Sequence, residues 1–270
     1  MKKTRAFLKW AGGKYGLVED IQAQLPKGEL LVEPFVGAAS VFINTDFPRY
    51  YLTDINADLI NLYQILQRQP GQFIVDARDY FSAENNDSER YYQFREQFNG
   101  TSDPYLRSLL FLYMNRHGYN GLCRYNRKGG FNVPFGSYKR PYFPEHEMWV
   151  FAEKAKRATF ECCSYVDTFA KVKQGDVVYC DPPYAPLSPT ASFTNYASKG
   201  FNRADQEKLG ELAGEAQRRG ATVLISNHDL DFTRDIYRGS KLKELSVKRT
   251  ISRKGHQRLK VGELLALYKA

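Results

Sequence analysis

The groups best placed to do chemistry in this chain are Asp181-Pro182-Pro183-Tyr184, which follow the apolar run Val177-Val178-Tyr179-Cys180. Such a run reads as a strand buried on both faces of a parallel sheet. The prolines end it because neither can donate an N–H to a ladder, and Pro183 biases Pro182 towards extended backbone. A stiff backbone at the carboxyl end of a strand is where open α/β sheets hold ligands. It would present a carboxylate (Asp181), a carbonyl (Pro182) and a flat ring (Tyr184). These suit a planar base with an exocyclic amine, whose hydrogens the two oxygens accept while the ring stacks on the base. The plainer reading is a strand–turn–strand with a surface acid, since Asp-Pro-Pro occurs in many loops.

A second group precedes it in the chain. Phe7-Leu8-Lys9-Trp10-Ala11-Gly12-Gly13-Lys14 sets a lysine behind a glycine pair. A phosphate loop would need glycine at position 8 and Ser or Thr after the lysine, but Leu8 and Tyr15 stand there. An aromatic, two glycines that admit a ligand close to backbone, and a cation remain. A plain glycine turn before a helix over residues 15–24 stays open. Leu30-Leu31-Val32-Glu33 then reads as a strand, and Pro34-Phe35-Val36-Gly37-Ala38-Ala39-Ser40 as a small-residue loop into a helix from about Ser40. That is how a Rossmann-like βαβ unit opens, without the Gly-x-Gly-x-x-Gly fingerprint. The next strand, Tyr50-Tyr51-Leu52-Thr53, ends at Asp54, 17 residues after Gly37. An acid there hydrogen-bonds a ribose in such folds. Together these pieces indicate an adenosine-containing ligand.

The third feature is electrostatic. The net charge of +9 favours a polyanionic partner. Between Tyr105 and Phe143 stand seven Lys/Arg and ten Phe/Tyr without one acid, in a chain that has 30 acids elsewhere. Basic groups interleaved with aromatics neutralise phosphates and stack on, or wedge between, bases. The middle of this stretch, residues 116–130, is punctuated by glycine and reads as a hairpin or loop. Its Asn and Arg side chains are of the kinds that pair bidentately with adenine and guanine edges. A solvated basic face over an aromatic core is the alternative.

The positioning elements follow from periodicity. Apolar spacing predicts helices over 57–67, 91–98, 106–114, 145–158 and 206–219, the last ended by Gly220. After Pro70 the texture changes to polar segments around 84–89. Residues 159–162 and 222–226 read as strands, and 261–269 as a closing strand. The second runs into Asn227-His228-Asp229; with no Ser or Cys nucleophile motif nearby, a structural histidine is the preferred reading there. A second basic run over 241–260 has eight Lys/Arg against Glu244 alone, which fits either a phosphate-facing edge or a merely soluble surface.

Composition bounds the rest. With 270 residues and 43% hydrophobic content, the chain can bury one large core or two smaller ones. No apolar run approaches the roughly 18 residues that span a bilayer, and no signal-type apolar core follows the basic start. Four cysteines without a Cys-x-x-Cys pair make disulfides and zinc unexpected. The expectation is a cytoplasmic, reduced, soluble protein.

With these residues in order, the chain resembles the Dam-type DNA adenine-N6 methyltransferases from end to end. The resemblance rests on Phe7–Lys14, Pro34–Ser40, Asp54, Arg116–Arg124, Asn132–Tyr138, Asp181–Tyr184 and Asn227–Asp229. It implies an α/β, Rossmann-like methyltransferase sheet, seven-stranded and mostly parallel, over residues 1–56 and 145–270. A small helical and β-hairpin DNA-recognition domain over 57–144 would be inserted in it. The implied donor is S-adenosyl-L-methionine, leaving S-adenosyl-L-homocysteine, with no metal. The implied partner is double-stranded DNA containing GATC, met by base flipping, with no membrane and no obligate protein partner. Location would be cytoplasmic, at the nucleoid.

The resemblance assigns the reaction to Asp181, Pro182, Pro183 and Tyr184. It places Trp10, Ala11, Gly12, Lys14, Phe35, Gly37, Ser40, Asp54, Tyr165 and Asp181 around the donor. It expects DNA contacts from Lys9, Arg95, Arg116, Tyr119, Asn120, Leu122, Arg124, Asn126, Pro134, Tyr138 and Lys139. Lys9, Leu122, Arg124 and Pro134 would read bases, and Tyr119 and Asn120 would fill the stack left by the adenine. Two departures stand out. Ala39 replaces a glycine, expected to be harmless, and Ser137 stands where relatives often carry a basic residue, so one phosphate contact is expected to be lost and the salt slope to be somewhat lower. Cytosine-N4 chemistry would favour Ser at position 181 and protein-glutamine methylation Asn. Cytosine-C5 chemistry would need a nucleophilic Cys, usually after Pro, and no Pro-Cys pair stands in this chain. A DNA-binding regulator on an inactive scaffold is disfavoured by the presence of Asp54, Asp181 and Tyr184.

Overall fold

The chain alternates short apolar runs with amphipathic stretches, and the computed structural model, which describes residues 3–185, 201–246 and 262–270, turns them into strands and covering helices. The strands are β1 Leu30–Glu33, β2 Arg49–Asp54, β3 Ala158–Cys162, β4 Val177–Cys180, β5 Thr222–His228, β6 Lys241–Ser246 and β7 Gly262–Tyr268. They form one sheet in the order β3-β2-β1-β4-β5-β7-β6. The first five are parallel, and β7 runs antiparallel between β5 and β6. The chain winds one way from β1 through β2 to β3 and the other way from β4 to β5. The switch point therefore lies between the carboxyl ends of β1 and β4, where open α/β sheets leave a crevice for ligands.

The helices are α1 Val18–Gln22, α2 Ser40–Asn44, α3 Ala57–Arg68, α4 Pro70–Asp79, α5 Ser88–Gly100, α6 Pro104–His117, α7 Glu145–Ala155, α8 Tyr165–Lys171, α9 Arg203–Arg218 and α10 Asp231–Ile236. Strand side chains alternate between two cores. Leu31, Val177, Tyr179 and Leu224 face the side of α2, α3 and α7, whereas Val32, Val178, Cys180, Val223 and Ile225 face α8 and α9. All four residues of β4 are buried, as a strand covered on both faces requires. The first core runs on through α3 into Phe73, Tyr91, Phe98 and the stretch Leu109–Met114 of α6.

Several boundaries differ from the periodicity. Pro70 opens α4, a helix the periodicity does not predict, and is tolerated there because a first-turn residue needs no N–H partner. The unexpected α8 is set by a capping box in which Ser164 and Asp167 satisfy each other's backbone N–H groups. The helix over 206–219 starts at Arg203, three residues early, through an Asn202–Asp205 box of the same kind. The helix over 145–158 stops at Ala155, because Ala158 opens β3 and pairs with Tyr50 of β2. The stretch over 15–24 splits into a 3-10 turn at Lys14–Gly16 and α1. The predicted hairpin or loop over 116–130 starts only after α6 ends at His117: residues 118–136 form a 3-10 turn at Tyr119–Gly121 and an irregular loop closed by single bridges, Gly118 to Phe135 and Tyr125 to Phe131. Of the second basic run, 241–246 forms β6; residues 247–260, like Val261 of the closing strand, lie outside the described residues.

Candidate active site and nucleic-acid interface

Asp181 leaves β4 at the switch point, and its carboxylate is 22% exposed. Lys14 Nζ lies 2.8 Å from Asp181 Oδ1, donates to Gly12 O at 2.6 Å and sits 4.5 Å from the centre of the Tyr184 ring. Ser226 on β5 donates to the same Oδ1 at 3.1 Å. Burial raises the Asp181 pKa from the usual carboxylate range, the Lys14 charge and the Lys14 and Ser226 hydrogen bonds oppose that rise, and Glu263 adds to it. A nitrogen that bears hydrogens is therefore seated on Asp181 and over an aromatic face. An exocyclic amine on a flat base presents the same pattern.

The tetrapeptide is held from below by polar groups of which sequence reasoning singled out only Asn227 and His228. Gln206 of α9, fully buried, donates to Pro183 O at 2.7 Å. Asn227 accepts from Ala185 N–H at 3.2 Å and donates to Gln206 Oε1 and Tyr237 Oη at 2.9 and 3.0 Å. Tyr184 Oη donates to Glu263 Oε2 on β7 at 3.1 Å. His228 Nδ1 lies 2.7 Å from Ala185 O, and its ring packs edge-on against Tyr184. It serves the fold of the loop, in line with the preferred structural reading. A polar residue inside an otherwise apolar run, as in Ser226-Asn227 after Val223-Leu224-Ile225, is the one sequence signal that could have marked this network.

On the other side of the switch point, Asp54 Oδ2 accepts from Gly37 N–H at 3.1 Å and Oδ1 from Asn56 N–H at 3.0 Å. Burial raises its pKa, and those backbone donors oppose the rise. Gly37 has φ +45°, and a Cβ there would come within 3.1 Å of Trp10 Nε1. Phe35 stacks on Tyr165 at 5.5 Å, and Phe201, missed in the sequence, meets both rings edge-on. Ile55 is 60% exposed beside Asp54, an apolar side chain open at the sheet edge. A carboxylate, an aromatic pair and an exposed apolar side chain are a fitting set for an adenosine group. Ala11 and Gly12 are exposed above Lys14, while Ser40 is buried as the first residue of α2. Ala39 adopts φ +60° and ψ 31°, a left-handed conformation that costs a non-glycine residue roughly 1–2 kcal/mol. The expectation that this replacement is harmless overlooked that strain.

Glu33, at the end of β1, is a further buried acid, 2% exposed. Its Oε1 meets no partner among the described residues, while the Phe42 N–H in the first turn of α2 hydrogen-bonds the carboxyl. Burial first, and then the neighbouring Asp181 charge, push its pKa up to about 8 against the pull of Lys154.

Of the expected DNA contacts, Lys9, Asn120 and Tyr138 meet beside the end of α6. Tyr119 and Asn120 are exposed; Asn120 has φ +55° and donates its N–H to Tyr138 Oη at 2.9 Å. Lys9 Nζ lies 3.9 Å from the Tyr138 ring centre and donates to Arg116 O at 3.2 Å; burial lowers its pKa to about 8, with Arg116 adding to the shift. Arg124 is exposed and braced by Asn132, Nε to Oδ1 at 2.8 Å and Nη2 to O at 3.0 Å. Pro134 and Lys139 are exposed, and Leu122 is half-buried against the core. Three residues point elsewhere. Arg116 is buried and donates to Tyr142 O and Phe7 O, so its guanidinium ties the chain together. Asn126 spends Oδ1 on the Lys128 and Gly130 N–H groups of its own turn. Arg95 donates to Val133 O at 3.2 Å and covers the Tyr92 ring.

A family model described as D12 class N6 adenine-specific DNA methyltransferase matches residues 10–251, which include Asp54, the loop after α6 and Asp181–Tyr184. The chain belongs to that family. Among curated relatives, the DNA adenine methylase of Vibrio cholerae serotype O1 is 62% identical over 99% of this chain and 97% of its own. That of Escherichia coli strain K12 is 59% identical over 100% and 97%, and that of Serratia marcescens 58% over the whole of both. A solved Precorrin-6y C5,15-methyltransferase from Geobacter metallireducens aligns with a TM-score of 0.42 at 10% identity over 97% of this chain and 95% of that one, too remote to carry weight. The methyltransferase thus acts on adenine in DNA, and its family implies S-adenosylmethionine as donor. Among the described residues there is no group of three or more His, Cys, Asp or Glu that could hold a metal, and no helix long and apolar enough to cross a membrane.

Proposed function

We propose that this methyltransferase modifies the adenine of GATC in double-stranded DNA, taking the base out of the helix into the crevice between β1 and β4. The observation that carries this reading is the Lys14 ammonium on Asp181 and over Tyr184. The site accepts a hydrogen-bearing nitrogen above a ring, at a strand end that a base still stacked in a duplex cannot reach. The GATC sequence comes from the resemblance, and the exposed Arg124, Asn120 and Tyr119 are the kinds of side chain that reading and wedging require.

When bound, S-adenosylmethionine would supply an electrophilic methyl on a sulfonium. Asp54 would hold its ribose, Phe35 and Tyr165 its adenine, and Trp10 and Gly37 the approach between them. In the reaction, Lys14 must first leave Asp181. Asp181 and the Pro182 carbonyl then accept the two amine hydrogens, which turns the nitrogen lone pair out of the ring plane. Tyr184 stacks on the base, and the displaced proton departs through Asp181 to water. Rate comes mainly from positioning and electrostatics, since Asp181 need not be a strong base. S-adenosylhomocysteine would be the second product. We also take residues 57–144 as the recognition unit, joined to the catalytic part by the core that runs from the sheet through α3.

The experiment is methyl transfer from labelled S-adenosylmethionine to a GATC duplex and to a duplex with those bases shuffled, with nucleosides identified after digestion. Label in N6-methyladenosine from the GATC duplex alone is expected. Label from both would remove the assigned specificity. A 2-aminopurine in place of the target adenine should brighten on binding, and an unchanged signal would count against flipping.

A further inference from the structure

Residues 9–14 connect the recognition face to the reaction centre in a single strap, with Lys9 at one end and Lys14 at the other. One buried side chain outside the strap grips its recognition end. Asn115, near the end of α6 and 2% exposed, accepts from Lys9 N–H through Oδ1 at 2.8 Å and donates through Nδ2 to Lys9 O at 2.7 Å. One amide thus satisfies both backbone groups of a loop residue 106 positions away, as a strand neighbour would. The opposite side of Lys9 is closed by Gly121, where a Cβ would come within 2.2 Å of Lys9 Cβ. Beyond Lys9 the strap continues over Gly37 through Trp10, turns at Gly13 N–H to Trp10 O, and ends on Asp181.

We infer that Asn115 is a positioning residue for sequence discrimination: it fixes the Lys9 backbone so that the Lys9 ammonium meets one base edge from a defined origin, without itself touching DNA. The inference rests on the reading of Lys9 as a base contact. The ammonium has a resting place on Arg116 O and the Tyr138 ring, so it can exchange that place for a base edge while its Cα stays anchored. Without the amide, the Lys9 N–H and C=O would turn to water and the side chain would start from many positions. Loss of a fixed origin weakens the right base more than the wrong ones, because only the right base uses the aligned geometry.

The test is a double-mutant cycle read on duplexes that carry GATC or a change at one of its base pairs. Lys9→Ala should lose discrimination at one base pair. Asn115→Ala should lose about tenfold in the kcat/KM ratio at that same base pair and little at the others. The double variant should discriminate no worse than Lys9→Ala alone. Asn115→Asp, of equal volume, keeps the acceptor and loses the donor, and should also lose discrimination at that pair. An equal drop on every duplex, full additivity with Lys9→Ala, or wild-type discrimination by Asn115→Asp would overturn the role of Asn115. If Lys9→Ala alters discrimination at no base pair, the reading of Lys9 falls and the inference with it.

Discussion

Replacing Glu33 by Gln should make the stability of this methyltransferase less sensitive to alkaline pH. The carboxyl has a pKa pushed from 4.5 up to about 8, so the folded protein holds a proton that the unfolded chain releases. A raised folded pKa contributes stability that is fully present below 4.5 and lost as pH rises through 8. At pH 7 the loss spans the 2.5 units above 4.5, at 1.36 kcal/mol per unit, or about 3 kcal/mol; at pH 5 it is under about 1 kcal/mol. Gln has nearly the same shape, can still accept from the Phe42 N–H, and carries no proton to lose. Any fixed cost of burying its amide is the same at every pH. The advantage of Glu33→Gln over wild type should therefore grow by roughly 2–3 kcal/mol between pH 5 and pH 7. With a urea slope of about 2–3 kcal/mol per molar, the gap between midpoints widens by about 1 M. Urea unfolding of both proteins from pH 5 to 8 reads this directly. Midpoints that stay a constant distance apart would refute the assignment of a buried, proton-holding carboxyl beneath the active site.

Other groups give independent tests. His117 is fully buried with Nδ1 against Tyr113 O, and burial lowers its pKa from 6.5 to about 4. Wild type should then lose up to about 3 kcal/mol as pH falls from 6.5 to 4, a loss that His117→Phe should not share; equal acid sensitivity would contradict it. Lys14→Met removes the charge that holds the Asp181 pKa down, so the acid limb of kcat/KM should move to higher pH, and an unmoved limb would count against the pairing. Gln206→Leu leaves Pro183 O without its donor, and kcat should fall on the order of 10- to 100-fold with DNA affinity little changed. A variant at wild-type kcat would show that the loop holds itself. Arg124→Ala should cost about 1–3 kcal/mol at one base pair; a uniform loss over all sequences would make it a phosphate contact instead.

The sequence by itself determined the local features. A buried four-residue strand ending at Asp-Pro-Pro-Tyr followed from the apolar run and the two prolines, and Asp54 stands at the tip of β2 where the strand pattern ends. The basic, aromatic, acid-free stretch over 105–143 was legible as composition, but Phe111, Tyr113 and Phe131 enter the core and Arg107 pairs with Asp58, so composition did not say which of its groups face outward. The tertiary structure alone decided which way long side chains turn. Arg116 sits in the same basic run as Arg124, yet one is buried on backbone carbonyls and the other exposed, because α6 buries its last turn against Phe7 and Tyr142. Asn126 reads as a base contact by type but completes its own turn. Ser226, Gln206, Asn227 and Glu263 come from β5, α9 and β7, and converge on one tetrapeptide only when those elements pack. Asn115 meets Lys9 across 106 positions. Sequence spacing encodes neighbours along a strand or helix; contacts between elements distant in the chain are set by packing of the whole sheet and its covering helices, which no local pattern carries.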